Sequence, residues 1–374
     1  MSARVLGVLG GGQLGRMLAL AGARLGVRTR VFDPSPEACA GDVAELVAGD
    51  YADEEALARF CDGLDGATIE FENVPIEAAR FVADRVGLAP AVESIAFSQD
   101  RLAERELLQR VGFRTPGYQG VGGRGELLGA CAQVGLPAIL KSRRLGYDGK
   151  GQAWVRKAEE APEAWGRIGG KPAILDEVVS FSREISLVAV RACDGATRHY
   201  PPIENVHRDG ILHTSLAPAL VDDAVLGQMW SAVERLLDEI GHVGVLTVEF
   251  FEDERGFLAN EYAPRVHNSG HWTIEGAVTS QFENHVRAVM GMPLGSTQAC
   301  GHSGMVNLVG STEVGPRLLE VPGVQVHLYG KDPRPGRKVG HASLCCKSAL
   351  ERDMGLAQIS ELVDGGGKRV ETGR

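Results

Sequence analysis

Five consecutive apolar residues, Val5–Leu9, read as a buried strand, and Leu14, Met17, Leu18, Ala21 and Leu25 then recur at the spacing of one helix face. Residues 27–32 return to a strand-like run. Residues 67–71 form a third, and Ile76–Val86 again carries helical periodicity. Strands alternating with helices in this way favour a parallel sheet covered by helices. Residues 1–98 are therefore expected to form an α/β domain.

The pattern then changes. Residues 100–111 read as a charged amphipathic helix, 121–125 as a turn, and 138–142, 152–156, 173–179 and 184–191 as strands with glycine-bearing connections. Residues 201–209 read as a loop and 222–240 as a helix. The runs 245–251 and 257–261 follow as two strands joined by the turn Asp253-Glu254-Arg255-Gly256. From about residue 295, short strands at 305–309, 324–328 and 341–344 alternate with Pro/Gly turns and end in a polar tail. The expected division is 1–98, 99–295 with a lid at about 115–182, and a β-rich 296–374.

A chain of 374 residues, 44% hydrophobic and 24% charged, has the material for two or three packed units. Its 39 Lys+Arg against 49 Asp+Glu give a net charge of −10, with no basic run of the kind that tracks nucleic acid. No apolar stretch has bilayer length, and the chain enters its first strand without a charged, apolar leader, so no membrane partner and a cytoplasmic location are expected. Seven scattered cysteines form no metal-type spacing and fit a reducing compartment.

Gly10-Gly11-Gly12-Gln13-Leu14-Gly15 satisfies the glycine pattern of dinucleotide sites, and Asp33 ends the next strand, where a ribose-binding carboxylate would stand. The same glycines also suit any phosphate-bearing ligand at a helix N-terminus, or a plain tight turn. We rank a substrate-facing loop first, a structural turn second and a nicotinamide cofactor third. The rest of the chain supplies a different nucleotide site. Lys141 ends a short apolar strand, and Gly146-Tyr147-Asp148-Gly149-Lys150-Gly151-Gln152 reads both as a hairpin turn and as a glycine flap whose N–H groups can close over a polyphosphate. Asp176-Glu177-Val178-Val179 ends another strand, and a hinge of that kind can meet an adenine edge, with Glu184 near the ribose. Each of these carboxylates taken singly reads equally well as a solvated strand residue.

Glu249 and Glu261 make a sharper pair. On the two arms of the expected hairpin they stand abreast, and two carboxylates among apolar neighbours repel unless a cation lies between them. Mg²⁺ bridging ATP phosphates meets that need. The stretch Asn260-Glu261-Tyr262-Ala263-Pro264-Arg265-Val266-His267-Asn268-Ser269-Gly270-His271-Trp272-Thr273 is dense in chemistry for a loop. Arg265 can hold bicarbonate or a phosphorylated intermediate through a bidentate fork, and His267 reads as a proton carrier near neutral pH.

In this order Lys141, the flap, the Asp176 hinge, Glu184 and the Glu249/Glu261 pair resemble the ATP-grasp ligases. More narrowly, Leu9–Met17, Phe71-Glu72-Asn73-Val74-Pro75, the Asn260–Thr273 stretch, His327-Leu328-Tyr329-Gly330-Lys331 and Arg337-Lys338-Val339-Gly340-His341 are similar to the N5-carboxyaminoimidazole ribonucleotide synthetases. The resemblance implies an ATP-grasp fold with an N-terminal Rossmann-like, pre-ATP-grasp domain and a small C-terminal β-rich domain. It implies ATP and two Mg²⁺ as cofactors, a homodimer, and carboxylation of 5-aminoimidazole ribonucleotide with bicarbonate through carboxyphosphate in purine biosynthesis. Carried over by position, Arg101, Lys141, Gly146–Gln152, Asp176–Val179, Glu184, His207 and Asn260-Glu261 would contact ATP, and Glu249 and Glu261 would hold Mg²⁺. Gln13, Tyr147, Asp148, Asn268, Lys331, Arg337 and Lys338 would meet the ribonucleotide, with Arg265, His267, Lys331 and Asp148 at the reacting groups. The sequence departs at Asp176, where the family carries Glu, and at Ala263, where related bicarbonate-activating ligases carry Asn. The rival readings are a formate-using ATP-grasp ligase, an NAD(P)-dependent oxidoreductase and a non-catalytic nucleotide-binding regulator.

Overall fold

The computed structural model of the protein describes residues 4–144 and 151–365. Four parallel strands, β1 (Val5–Leu9), β2 (Arg28–Asp33), β3 (Glu45–Ala48) and β4 (Gly66–Ile69), pair in the order β3-β2-β1-β4. The helix Gln13–Arg24 buries Leu14, Met17, Leu18 and Ala21, the face that the spacing predicts. Ile76–Val86 is helical over the expected span.

A second sheet pairs β5 (Tyr118–Val121), β6 (Ala138–Ser142), β7 (Gln152–Val155) and β8 (Ala173–Glu177) antiparallel, in the order β5-β8-β6-β7. The expected flap residues Gly146, Tyr147, Asp148, Gly149 and Lys150 lie outside the described residues. Gly151 closes the β6–β7 pairing with its carbonyl on the Ser142 N–H, and its φ of +72° is one that a side chain would resist.

The third sheet is the scaffold. It contains β9 (Arg183–Arg191), β10 (Thr197–His199), β11 (Ile203–Arg208), β12 (Ile211–Ala217), β13 (Gly244–Asp253), β14 (Gly256–Ala263), β15 (His302–Val309), β16 (Gln325–Leu328) and β17 (Lys338–Cys346). Its path runs β14-β13-β9-β11-β12-β15-β17-β16, with β10 beside β9, so the C-terminal strands continue the sheet through the β12–β15 pairing. Two expectations fail here. Residues 201–209 are not a loop: β11 runs through them, because Asn205 turns inward and is satisfied by Ser186 and Ser215, a polar ladder in place of an apolar one. The polar tail begins as the helix Ala349–Gly365, which lays Leu356 against Gly304 of β15, where a Cβ would come within 2.6 Å of it.

Two neutral histidines tie the first domain to the scaffold. Val245 donates its N–H to His285 Nδ1 at 3.0 Å, and His285 Nε2–H then faces Thr68 Oγ1 at 2.7 Å. His242 donates Nε2–H to the Val245 carbonyl at 3.0 Å, leaving Nδ1 to accept from Ser94 Oγ. Burial pushes His242 down to about 4 and His285 to about 3. The native state thus holds both neutral while an unfolded chain protonates them below about 6.5. Their contribution is complete above that value and erodes as pH falls through it. Urea unfolding should show roughly 3 kcal/mol less stability at pH about 5.5 than at about 7.5 from this pair, and His285→Gln should flatten that slope.

Candidate active site

The glycine turn before the first helix is already occupied, by carboxylates of the protein itself. Gly11 N–H donates to Asp33 Oδ2 at 2.8 Å, Gly15 N–H to Glu70 Oε2 at 2.8 Å, and Gly12 N–H to Glu70 Oε1. A Cβ at Gly12 would lie 2.5 Å from Glu70 Oε1, and one at Gly10 2.3 Å from Glu70 Cγ. The glycines therefore make room for Glu70 at the helix N-terminus, where a dinucleotide would place its pyrophosphate. The nicotinamide reading loses its physical basis.

A cavity of about 860 Å³ opens beside this turn. Of the expected residues, Gln13, Arg101, Lys141, Gln152, Glu184, His207, Glu249, Asn260, Glu261, Arg265, His267, Asn268, Lys331 and Lys338 line it. Gly151, Asp176, Glu177, Val178, Val179 and Arg337 lie off its wall. Phe181 and Phe251, stacked at 4.6 Å, supply an aromatic flank.

The two glutamates of the hairpin are direct register partners: Glu249 of β13 faces Glu261 of β14, and the ladder shifts immediately after Glu249. Opposed residues of an antiparallel pair project from one face. Burial and then the Glu261 charge push the Glu249 carboxyl up. Its neighbour His267 lies 3.3 Å away through Nε2, and Arg101 Nη1 lies 3.5 Å from Glu261. Such a strained like-charge pair fits a divalent cation. Among the described residues no group of three or more His, Cys, Asp or Glu side chains converges.

The cations around the pair are tethered in advance. Lys141 Nζ lies 2.8 Å from Asp176 Oδ2, Arg143 Nε 2.6 Å from Asp100 Oδ1, and Lys331 donates to Gln13 Oε1. Arg265 is paired with Glu72, whose carboxyl burial would raise but Arg265 holds low. Glu184 meets His207 on the facing strand.

Three family models match the chain: a ribonucleotide synthetase preATP-grasp domain over residues 3–99, an ATP-grasp domain over 106–282, and a phosphoribosylaminoimidazole carboxylase C-terminal domain over 303–353. An N5-carboxyaminoimidazole ribonucleotide synthase of Pseudomonas aeruginosa is 46% identical over 96% of this chain and 99% of its own. The chain belongs to the N5-carboxyaminoimidazole ribonucleotide synthase family. The Thermus thermophilus synthetase superposes with a TM-score of 0.92 at 50% identity, covering 98% of this chain and 99% of the other. An Aspergillus clavatus synthase solved with ADP and 5-aminoimidazole ribonucleotide gives 0.90 at 30% identity, over 97% and 99%.

Within this synthase-family site one sequence reading changes. His267 does not titrate near neutrality, because burial and then Arg265 and Lys338 hold its pKa well below the ordinary value. Its Nδ1 accepts from Ser269 N–H at 3.3 Å, so a neutral ring presents Nε2–H to Glu249. Glu70 and Glu104 escaped the sequence reading. Glu104 is buried beside the hairpin, accepts the Tyr262 N–H at 2.8 Å, and is pushed up to about 8 by burial and Glu261. A carboxylate ending an apolar strand was a visible signal for Glu70; for Glu104, in a charged helix, there was none. Gly12→Ala drives a methyl into the Glu70 carboxylate, and thermal unfolding should report a loss of roughly 1–3 kcal/mol, whereas a variant of wild-type stability would mean that Glu70 does not fill this turn.

Proposed function

We propose that the chain uses ATP to phosphorylate bicarbonate and carboxylates the exocyclic amine of 5-aminoimidazole ribonucleotide, releasing ADP and phosphate. The observation that carries the reading is the register pairing of Glu249 with Glu261 inside a cavity lined by Lys141, Arg265, Lys331 and Lys338. Among the relatives named above, the carboxyaminoimidazole function is constant, which disfavours a formate-using ligase.

In this reading Lys141 and Arg101 meet the ATP phosphates, Glu184 and His207 the ribose, and Phe181 and Phe251 flank the nucleotide. The Asp176–Val179 hinge would offer backbone groups, and the flap would shield the phosphates from water. Glu249 and Glu261 would hold Mg²⁺, two ions in all, and bound Mg²⁺ would supply positive charge against the phosphate oxygens. Neither amide atom of Asn268 has a hydrogen-bond partner among the described residues although both are buried, and in this reading its Oδ1 would complete the metal shell that Ala263 cannot. Arg265, fixed by Glu72, would orient the carboxyphosphate, while His267 holds Glu249 through Nε2–H. The amine of the ribonucleotide would then attack the carboxyl carbon, forming its C–N bond as the C–O bond to phosphate breaks and the departing phosphate takes up the amine proton. Gln13, Lys331 and Lys338 would take the ribonucleotide, with Tyr147 and Asp148 of the flap. Arg337, which lies off the cavity wall, donates Nη1–H to the Asp332 carbonyl at 3.1 Å and would offer its remaining N–H groups to the ribonucleotide phosphate.

No helix among the described residues is long and apolar enough to cross a membrane. A cytoplasmic location accords with seven unpaired cysteines. A homodimer is the assembly that the resemblance implies, and a solution mass of 39.8 kDa, that of one chain, would overturn it.

Glu261→Gln should lower bicarbonate-dependent ADP release by about a hundredfold or more with the melting temperature kept. Turnover near wild type in that variant would end the metal assignment. Comparing bicarbonate plus aminoimidazole ribonucleotide with formate plus glycinamide ribonucleotide checks the substrate. Glu249 must also lose its proton to bind the cation. The Mg²⁺ concentration for half-maximal rate should therefore fall as pH rises from about 6 to about 8, and a flat profile would contradict that linkage.

A further inference from the structure

Lys141 does not face the cavity as an isolated charge. Asp176 Oδ2 accepts from Lys141 Nζ at 2.8 Å and from Arg105 Nη2 at 3.1 Å. Asp176 and Arg105 are only 2% and 5% exposed, and neither lines the cavity. Arg105 also donates Nη1–H to the Ala259 carbonyl of β14 at 3.2 Å, one residue before Asn260 and two before Glu261. One buried guanidinium thus spans the two sheets that border the nucleotide. It holds β8, whose neighbour β6 carries Lys141, and β14, which carries Glu261.

The charges give this geometry a consequence. A lysine and an aspartate alone form a neutral pair, and a neutral pair attracts a polyphosphate weakly. Two cations on one carboxylate leave a net charge of +1, and Lys141 is the member that faces the cavity. The low dielectric around Asp176 keeps this balance from being screened by solvent.

We propose that Arg105 is a positioning residue for the phosphoryl-transfer site: by sharing the Asp176 carboxylate it leaves the Lys141 charge free to act on the ATP phosphates. The proposal rests on the reading of Lys141 as a phosphate ligand, and it adds a residue that lies behind the cavity wall.

Steady-state kinetics with ATP varied, at saturating bicarbonate and aminoimidazole ribonucleotide, test it. Arg105→Gln, which keeps donor groups but removes the charge, should raise the KM for ATP about tenfold. Arg105→Lys, which keeps the charge, should raise it less than about threefold. The compensating pair Arg105→Gln with Asp176→Asn removes the unshared carboxylate together with its partner, and should return KM to within about threefold of wild type. That double variant leaves no carboxylate short of a cation and keeps the net charge of +1 on Lys141, the member that faces the cavity, so it keeps the test open where Arg105→Gln alone does not fold. A merely structural Arg105 would lower the melting temperature of both single variants and leave KM for ATP unmoved. That result, or a double variant with KM as high as Arg105→Gln, overturns the proposal. Lys141→Met separates the two levels. If it leaves KM for ATP unchanged, the phosphate reading of Lys141 fails and this inference with it. If it raises KM and Arg105→Gln does not, only the role of Arg105 is lost.

Discussion

Two carboxylates of like charge, held side by side by the ladder of one hairpin, are the constraint around which this site is organised. Backbone pairing puts Glu249 opposite Glu261, and a strand pair does not let such partners turn to opposite faces. The repulsion is therefore part of the fold. It is visible in the raised Glu249 carboxyl and in Glu104, which lines the same cavity. A folded chain keeps such an arrangement when something bound relieves it.

The cations follow the opposite rule. Lys141, Arg143 and Arg265 each hold a carboxylate, on Asp176, Asp100 and Glu72, and those carboxylates are themselves buried or half-buried. Each positive group is thus fixed before a phosphate arrives, and little side-chain order remains to be imposed by the ligand. Glu70 shows the same economy at the first helix, where a buried carboxylate satisfies N–H groups that a phosphate would otherwise take.

Much of this was legible in the sequence, for reasons that can be located. The hairpin from 244 to 263 was legible as two apolar runs around a four-residue turn, and the antiparallel register of its arms sets Glu249 and Glu261 on one face. The strand β11 was hidden because its inward position, Asn205, is polar and finds partners on two neighbouring strands, which no local pattern reveals. The final helix was hidden for a related reason: of its apolar residues, Leu350 and Met354 are exposed, and Leu356 and Ile359 are buried against strands distant in sequence.

What the sequence could not carry was the pairing of charges across long separations. Glu70 meets glycines 55 and 58 positions away, and Arg105 meets an aspartate 71 positions away. Such partners leave no periodic trace, yet they decide protonation, because a buried carboxylate is raised or lowered by whichever charge stands next to it. Asp176 and Glu104 make the point together. Both are buried beside the same cavity, but two cations bear on the first and a carboxylate on the second, so one ionises easily and the other resists. The chemistry of this site is written less in which residues are acidic than in which neighbour the fold brings to each.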